Sequence, residues 1–359
     1  MALFEHIERR DHEQVVFCSD KSAGLKAIIA IHSTALGPSL GGVRMWQYAS
    51  DEDALRDVLR LSRAMTYKAA VAGLNLGGGK SVIIADPKKD KTEYLLRAFG
   101  RFVEGLAGRY IAAEDMGTGE DDMRLIRMET KHVTGVSSKL GGAGDPSPVT
   151  ALGVYVGMKA SAHHTYGSDS LAKKTVVVQG AGHVGQHVIR HLRKEGATVF
   201  VSDIDTERVD AICKETGATK LAADKVFSQD CDILCPAAFG GVLNDETIPQ
   251  LKCKVIAGAA NNQLGEEKKH SAMLEQRGIL YTPDYVINAG GLISVANERH
   301  GIPQEQSLKE AESIYNILLR IFELSKQQHV PTIVASNSIA EERIANMRHI
   351  KDIYTGIKN

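Results

Sequence analysis

Hydrophobic positions follow two rhythms along this chain. In the first third, short apolar runs of strand length alternate with helix-like stripes. Lys26–His32 (KAIIAIH), Ser81–Asp86 (SVIIAD) and Arg109–Ala113 (RYIAA) read as strands. Leu55, Val58, Leu59 and Met65 share one stripe of a helix that Ser50 opens, with Asp53 completing a capping box, so the spacing predicts a helix from Ser50 to Ala64. A second helix is predicted over about 92–106.

The pattern breaks at Gly141–Pro148 (GGAGDPSP), which marks a linker and hinge, and Ser147-Pro148 opens a helix to about His164. Five continuous apolar runs follow: Thr175–Gln179, Ala197–Asp203, Cys231–Cys235, Lys254–Ala260 and Ile279–Thr282. Apolarity without alternation predicts strands buried on both faces, and with helices between the earlier ones it predicts a parallel, doubly wound sheet. The tail from about Ser307 reads as helix. The expected fold class is α/β in two domains, residues 1–140 and 145–330, with helices of about 330–359 folding back onto the first.

Composition narrows the class. Lys plus Arg number 43 against 44 Asp plus Glu, a net charge of −1, which argues against a nucleic-acid partner. No apolar run reaches the roughly 18 residues of a membrane span, and the opening MALFEHIERRDHEQ lacks an apolar signal core, so a cytoplasmic location is expected. Cys18, Cys213, Cys231, Cys235 and Cys253 are scattered like reduced thiols, and without a second pair near Cys231 and Cys235 no metal is expected. Glycine stands out at 34 residues with only 9 prolines and no collagen period. Twelve of them cluster at 41–42, 77–79, 180, 182, 185, 240–241 and 290–291, which read as loops where backbone approaches a ligand.

One cluster has a defined chemistry. Gly180-Ala181-Gly182-His183-Val184-Gly185 fits G-x-G-x-x-G, follows the strand TVVVQ and opens a helix. The next strand ends in Asp203, 18 residues after Gly185. That context predicts a Rossmann-type dinucleotide site: the glycines admit the pyrophosphate at the helix N-terminus, and Asp203 binds the ribose hydroxyls and repels a 2′-phosphate, favouring NAD. His183, His187 and His191 lie four apart on this helix and read as surface histidines, because the helix must pack on its sheet.

A second chemistry lies in MTYKAAVAGLNLGGGKSVII. GGGKS is not a phosphate loop, since Leu74 stands where the first glycine is required and a strand, not a helix, follows the lysine. Lys68 and Lys80 instead read as two cations in one cleft. One would bind a substrate carboxylate; the other, crowded and desolvated, would be a base of lowered pKa, with Asp115 facing the same cleft.

LGPSLGGVRMW (Leu36–Trp46), MTYKAAVAGLNLGGGKSVI, AAEDMGT (Ala112–Thr118), NDETIPQLK (Asn244–Lys252), GAANNQL (Gly258–Leu264) and YTPDYVINAGGLI (Tyr281–Ile293) resemble the Glu/Leu/Phe/Val amino-acid dehydrogenase family over nearly the whole chain. The likeness is nearest to its leucine-specific members, with phenylalanine and tryptophan enzymes next. It implies a substrate-binding and oligomerisation domain, a Rossmann NAD domain, a cleft between them and a homo-oligomer, an octamer by family likeness. The substrates implied are an L-amino acid, its 2-oxo acid and ammonia. Lys80 would activate water against an iminium intermediate, Lys68 would hold the carboxylate with the backbone of Gly41 and Gly42, and Asp115 would exchange a proton with the amino nitrogen. Thr150, Ala238, Asn261 and Asn262 would approach cofactor and substrate. Leu40, Ala113, Leu292 and Val295 would line the side-chain pocket; they offer no cation for a second carboxylate, and the bulkier option at Ala113 and Leu292 favours branched aliphatic substrates. The competing readings are a phenylalanine dehydrogenase and a non-catalytic NAD-binding regulator. The joint presence of Lys68, Lys80 and Asp115 speaks against the regulator.

Overall fold

Two β-sheets organise the chain, and each belongs to its own compact unit in the computed structural model, which describes residues 5, 7, 11–136, 142 and 144–351. The first unit comprises residues up to Asp145 together with Val295–Pro303 and the segment from Ala340; the second comprises Pro146–Ser294 and Gln304–Ile339. Of the predicted hinge, Gly141 and Ala143 lie outside the described residues, as do residues 352–359 of the tail.

In the first unit the elements run β1 (Gln14–Asp20), β2 (Leu25–Ser33), β3 (Ser39–Trp46), α1 (Asp51–Val71), β4 (Gly77–Ile84), α2 (Glu93–Glu104), β5 (Tyr110–Glu114) and α3 (Glu120–Arg127). The sheet order is β1-β2-β4-β3-β5. β1 and β2 are antiparallel, as are β2 and β4, whereas β3 is parallel to both its neighbours. One sheet face packs Ile28, Ala30 and Val82 against Ala54, Leu55, Val58 and Leu59 of α1. The other packs Ile29, Ile31, Val43, Met45 and Ile83 against Leu95, Leu96, Phe99 and Val103 of α2 and Met123 and Ile126 of α3.

Three features depart from the expectation. β1 and β3 are strands that the apolar pattern does not show, and Gly77–Gly79, read as a loop, is the first half of β4. Glycine is ordinarily depleted in strands. Here the absent side chains are needed: a Cβ on Gly78 would overlap Thr66 of α1, and one on Gly41 would overlap the Gly79 carbonyl of the adjacent strand. The helix predicted to end at Ala64 continues to Val71: Thr66 packs on Gly78, Tyr67 and Ala69 to Val71 are also buried, and Gly73 turns the chain with φ +77°.

The end of α1 is capped from far along the sequence. The Arg343 guanidinium donates to the carbonyls of Ala70 (2.8 Å), Leu74 (2.9 Å) and Gly73 (2.9 Å) and to Asn75 Oδ1 (3.1 Å). One charged side chain thus ties the last turn of α1, where the Ala70 carbonyl also accepts from the Gly73 amide, to the turn that follows it. Arg343→Ala should therefore destabilise the protein by about 1–3 kcal/mol, seen as a lower melting temperature. An unchanged melting curve would show that water replaces the cap without loss.

The second unit contains α4 (Ser147–Tyr166), β6 (Thr175–Gln179), α5 (His183–Glu195), β7 (Thr198–Ser202), α6 (Thr206–Thr216), β8 (Thr219–Lys220), β9 (Ile233–Pro236), β10 (Val255–Ile256), α7 (Glu267–Gln276), β11 (Leu280–Tyr281) and α8 (Asp284–Ile287). Its six strands are all parallel in the order β11-β10-β9-β6-β7-β8, a doubly wound sheet. The chain continues through α9 (Gly290–Glu298), α10 (Gln304–Ala311), α11 (Ile314–Gln328) and α12 (Thr332–Lys351). Gly290 and Gly291, read as a loop, form the first turn of α9, where they press against Val149 and Thr150 of α4. Val295–Pro303, placed by sequence order in 145–330, packs with the first unit; there Glu298 accepts hydrogen bonds from the amides of Gly135 (2.9 Å) and Val136 (3.5 Å).

Candidate active site

Sheet register assembles the chemistry of the first unit. Leu40 pairs with Gly78 and with Ile111, and Gly42 pairs with Ala113. Side chains two apart share a face, so Leu40, Gly42, Arg44, Lys80, Ala113 and, just past β5, Asp115 belong to the α1 face. Leu40 and Ala113 are buried there. A Cβ on Gly42 would stand 2.7 Å from Asp115 Cβ and 3.1 Å from Lys80 Nζ, so glycine at this position makes room for the ion pair.

Lys80 is buried at 5% exposure, and its Nζ lies 3.1 Å from Asp115 Oδ2. Arg44 Nε donates to the same oxygen at 2.8 Å. Arg44 Nη1 reaches Asp57 Oδ2 on α1 at 3.0 Å, and Tyr48 donates to that oxygen at 2.8 Å. The face therefore carries two cations and two carboxylates in one linked network. Burial pushes the Lys80 ammonium below the ordinary lysine value of 10.5; Asp115 opposes this and Arg44 reinforces it. For Asp115, burial acts to raise the carboxyl, but Lys80 and Arg44 outweigh it and hold the group below its ordinary 3.8. Arg44 is a cation that acts to lower Lys80, and the residues alone do not single it out. Lys68 lies half-buried in the last turn of α1. Behind the site, Tyr110 donates to the Gly41 carbonyl at 2.7 Å, fixing the backbone of the two glycines.

The second unit builds the glycine turn expected to hold a dinucleotide. Gly180 takes φ +118°, and a Cβ there would press on the Ala237 carbonyl carbon at 2.8 Å. A Cβ on Gly185 would overlap the Gly180 carbonyl, so the helix sits directly on the turn. At Gly182, the residue before α5, no atom lies within 4 Å of where a Cβ would stand, which leaves open space at the helix N-terminus. Ala181 is buried, Val184 half-buried and His183 exposed. Asp203 follows β7 and accepts from the Ala181 amide at 2.6 Å, so it faces the turn. Ile204 beside it is 85% exposed.

The remaining expected positions are placed as follows. Ala238 is exposed after β9. Asn261 accepts from Asn288 Nδ2 at 2.6 Å, and Asn262 adopts φ +52° with its carbonyl accepting from Gly241. Thr150 donates to the Pro146 carbonyl at 3.0 Å. Of the residues expected to line a side-chain pocket, Leu40, Ala113 and Val295 belong to the first unit and Leu292, buried, to the second.

The family model described as "Glu/Leu/Phe/Val dehydrogenase, dimerisation domain" matches residues 12–132, and that of "Glutamate/Leucine/Phenylalanine/Valine dehydrogenase" matches 141–207 and 201–351. The chain belongs to the Glu/Leu/Phe/Val dehydrogenase family. Leucine dehydrogenase of Thermoactinomyces intermedius is 55% identical over 354 residues, covering 99% of this chain and 96% of that protein. Phenylalanine dehydrogenase of Bacillus thermotolerans is 47% identical over 359 residues, covering 99% and 93%. The crystal structure of L-tryptophan dehydrogenase from Nostoc punctiforme superimposes with a TM-score of 0.85 at 48% identity, covering 97% of this chain and 100% of that one.

The chain is thus an amino-acid dehydrogenase, which corrects the regulator alternative. Within the family reading, Arg44, Asp57 and Tyr48 are the site residues that sequence reasoning missed. The available signal was Arg44 two residues after Gly42 in one strand. Among the described residues no group of three or more His, Cys, Asp or Glu side chains could hold a metal ion, and no helix is long and apolar enough to cross a membrane. His191 stacks on Tyr155 with ring centroids 5.1 Å apart, His187 is half-buried and His183 exposed. Cys18, Cys231, Cys235 and Cys253 are buried thiols and Cys213 is half-buried.

Proposed function

We propose that this dehydrogenase oxidatively deaminates branched-chain L-amino acids, L-leucine foremost, using NAD and water to give the 2-oxo acid, ammonia and NADH. The observation that carries the reading is the buried Lys80 paired to Asp115 on the same sheet face as the apolar Leu40 and Ala113. An apolar pocket suits an aliphatic side chain, and a methylene there is worth about 1–3 kcal/mol, so valine and isoleucine are expected as weaker substrates.

The residues of the second unit fit a nicotinamide dinucleotide. The open space at Gly182 and the bare amides of α5 suit a pyrophosphate, and Asp203 with exposed Ile204 suits the adenosine end. Gly180 to Gly185 and Asp203 would hold it, with Thr150, Ala238 and Asn262 towards the nicotinamide. Bound there, the nicotinamide supplies the acceptor for the substrate's α-hydride. Lys68 and the backbone of Gly41 and Gly42 anchor the carboxylate, with Asn261, Leu292 and Val295 on the substrate side. Asp115 takes a proton from the amino nitrogen. Neutral Lys80 takes one from water as the oxygen adds to the iminium carbon; breaking the C–N bond then releases ammonia.

Steady-state NADH formation over a panel of L-leucine, L-valine, L-isoleucine, L-phenylalanine and L-glutamate tests the reading. The highest kcat/KM should fall on a branched aliphatic substrate, and glutamate should be inert. A clear preference for phenylalanine would replace this specificity with an aromatic one. Asp203→Ala should raise the KM for NAD by roughly ten- to a hundredfold, the loss of hydrogen bonds to a charged acceptor, and narrow the preference over NADP. An unchanged cofactor ratio would remove Asp203 from the site. We also infer a cytoplasmic homo-oligomer, an octamer by family likeness, with light scattering of the purified chain as its check. The family description of a dimerisation domain and the 53% exposed Phe17 on edge strand β1 support self-association.

A further inference from the structure

The Lys80–Asp115 pair does not stand alone. Both cations that approach Asp115 use Oδ2, Arg44 Nε at 2.8 Å and Lys80 Nζ at 3.1 Å, and no hydrogen bond to Oδ1 occurs among the described residues. Arg44 is itself tied down. Its Nη1 donates to Asp57 Oδ2 at 3.0 Å, and Asp57 is further held by Tyr48 at 2.8 Å and by Arg60 through Oδ1 at 3.3 Å. Asp57 lies on α1, so the planar guanidinium spans from helix to sheet end, a geometry a point-charged ammonium cannot reproduce.

We propose that Arg44 is a positioning residue of the reaction: braced by Asp57 and Tyr48, it shares Oδ2 of Asp115 with Lys80 and so presents Oδ1 to the substrate's amino nitrogen. This rests on the dehydrogenase reading of Lys80 and Asp115. Arg44 touches no reacting atom. It selects which carboxylate oxygen is saturated and which is left to exchange a proton, and it keeps a second positive charge against Lys80. The charged groups that act most strongly on Lys80 are Asp115 after β5, Arg44 on β3 and Asp57 on α1, and Lys68 is the other lysine of the proposed site, in the last turn of α1. Tyr48 adjoins Asp57, and Tyr110 lies on the opposite sheet face against Gly41.

The sign of the expected change follows from these charges. Lys80 works as a base in its neutral form, so activity rises as pH passes through its pKa. Removing a neighbouring cation makes the ammonium easier to keep. Arg44→Gln should therefore move the rising limb of kcat/KM against pH upward by about one unit, and lower kcat by roughly ten- to a hundredfold as Asp115 loses its orientation. Arg44→Lys keeps the charge but cannot span Asp115 and Asp57, so its limb should stay near that of the unmodified enzyme while kcat still falls.

The experiment measures pH profiles of L-leucine oxidation for the unmodified chain, Arg44→Gln and Arg44→Lys, with melting temperature and NADH binding recorded for each. A shifted limb in Arg44→Gln with a retained limb and reduced kcat in Arg44→Lys supports the assignment. A structural role alone would lower activity equally at every pH, and an unshifted limb in Arg44→Gln overturns the proposal. If Arg44→Gln does not fold, undiminished kcat in Arg44→Lys overturns it. Absence of amino-acid oxidation by the unmodified chain would instead remove the functional reading itself.

Discussion

Lys80→Ala should lose turnover by roughly 10²–10⁴-fold, the range expected when a positioned base is removed, while the protein stays folded and binds NADH. Folding should survive because the carboxylate left behind is not orphaned. Asp115 Oδ2 keeps its 2.8 Å bond to Arg44, whose charge remains balanced by Asp57. Cofactor binding should survive because the glycine turn and Asp203 belong to the other compact unit. The check is single-turnover NADH formation beside NADH fluorescence titration. Normal turnover in Lys80→Ala would end the mechanism, since no other described side chain on that sheet face is a buried amine.

Asp115→Asn should be nearly as damaging but leave a different signature. The amide keeps the shape and loses both the proton acceptor for the amino nitrogen and the charge that holds Lys80 protonated. Turnover should fall roughly 10²–10⁴-fold. Asp115 opposes the burial that lowers Lys80, so without it the ammonium deprotonates more readily. The rising limb of the pH profile should then move to lower pH, opposite to the shift expected from Arg44→Gln. A reduced rate with the limb unmoved would make Asp115 a proton carrier without electrostatic influence on Lys80.

Much of this site is legible in the chain, for physical reasons. The glycine turn is legible because its glycines are local: Gly180, Gly182 and Gly185 act within a single strand–helix connection, where Gly180 and Gly185 are sterically required and Gly182 borders open space. Lys80 and Asp115 are legible as candidates because charged residues flanked by small and apolar ones demand a partner, and the register of β3 with β4 and β5 supplies it.

What escapes the sequence is non-local. β3 does not read as a strand because Gly41 and Gly42 lack the side chains that strand patterns are made of, yet those absences are what allow Gly79 and Asp115 to approach. Nothing local marks Arg44 out; Asp57, thirteen residues on, and Asp115, seventy-one residues on, converge upon it only in the fold. The same holds for Arg343, whose acceptors lie some 270 residues earlier. The membership of Val295–Pro303 in the first unit likewise depends on contacts such as Glu298 with Gly135, which no local pattern encodes.

In the proposed reaction Lys80 acts as a neutral base whose proton affinity Asp115 sets. The most direct measurement is the position of the rising limb of kcat/KM against pH for L-leucine, in the unmodified chain and in Asp115→Asn. Titration of the free amino acid is the same in both and cannot move between them. The limb should lie below the ordinary lysine value of 10.5 in the unmodified enzyme and lower still in the variant. Superimposable limbs, or activity that does not rise with pH, would contradict it.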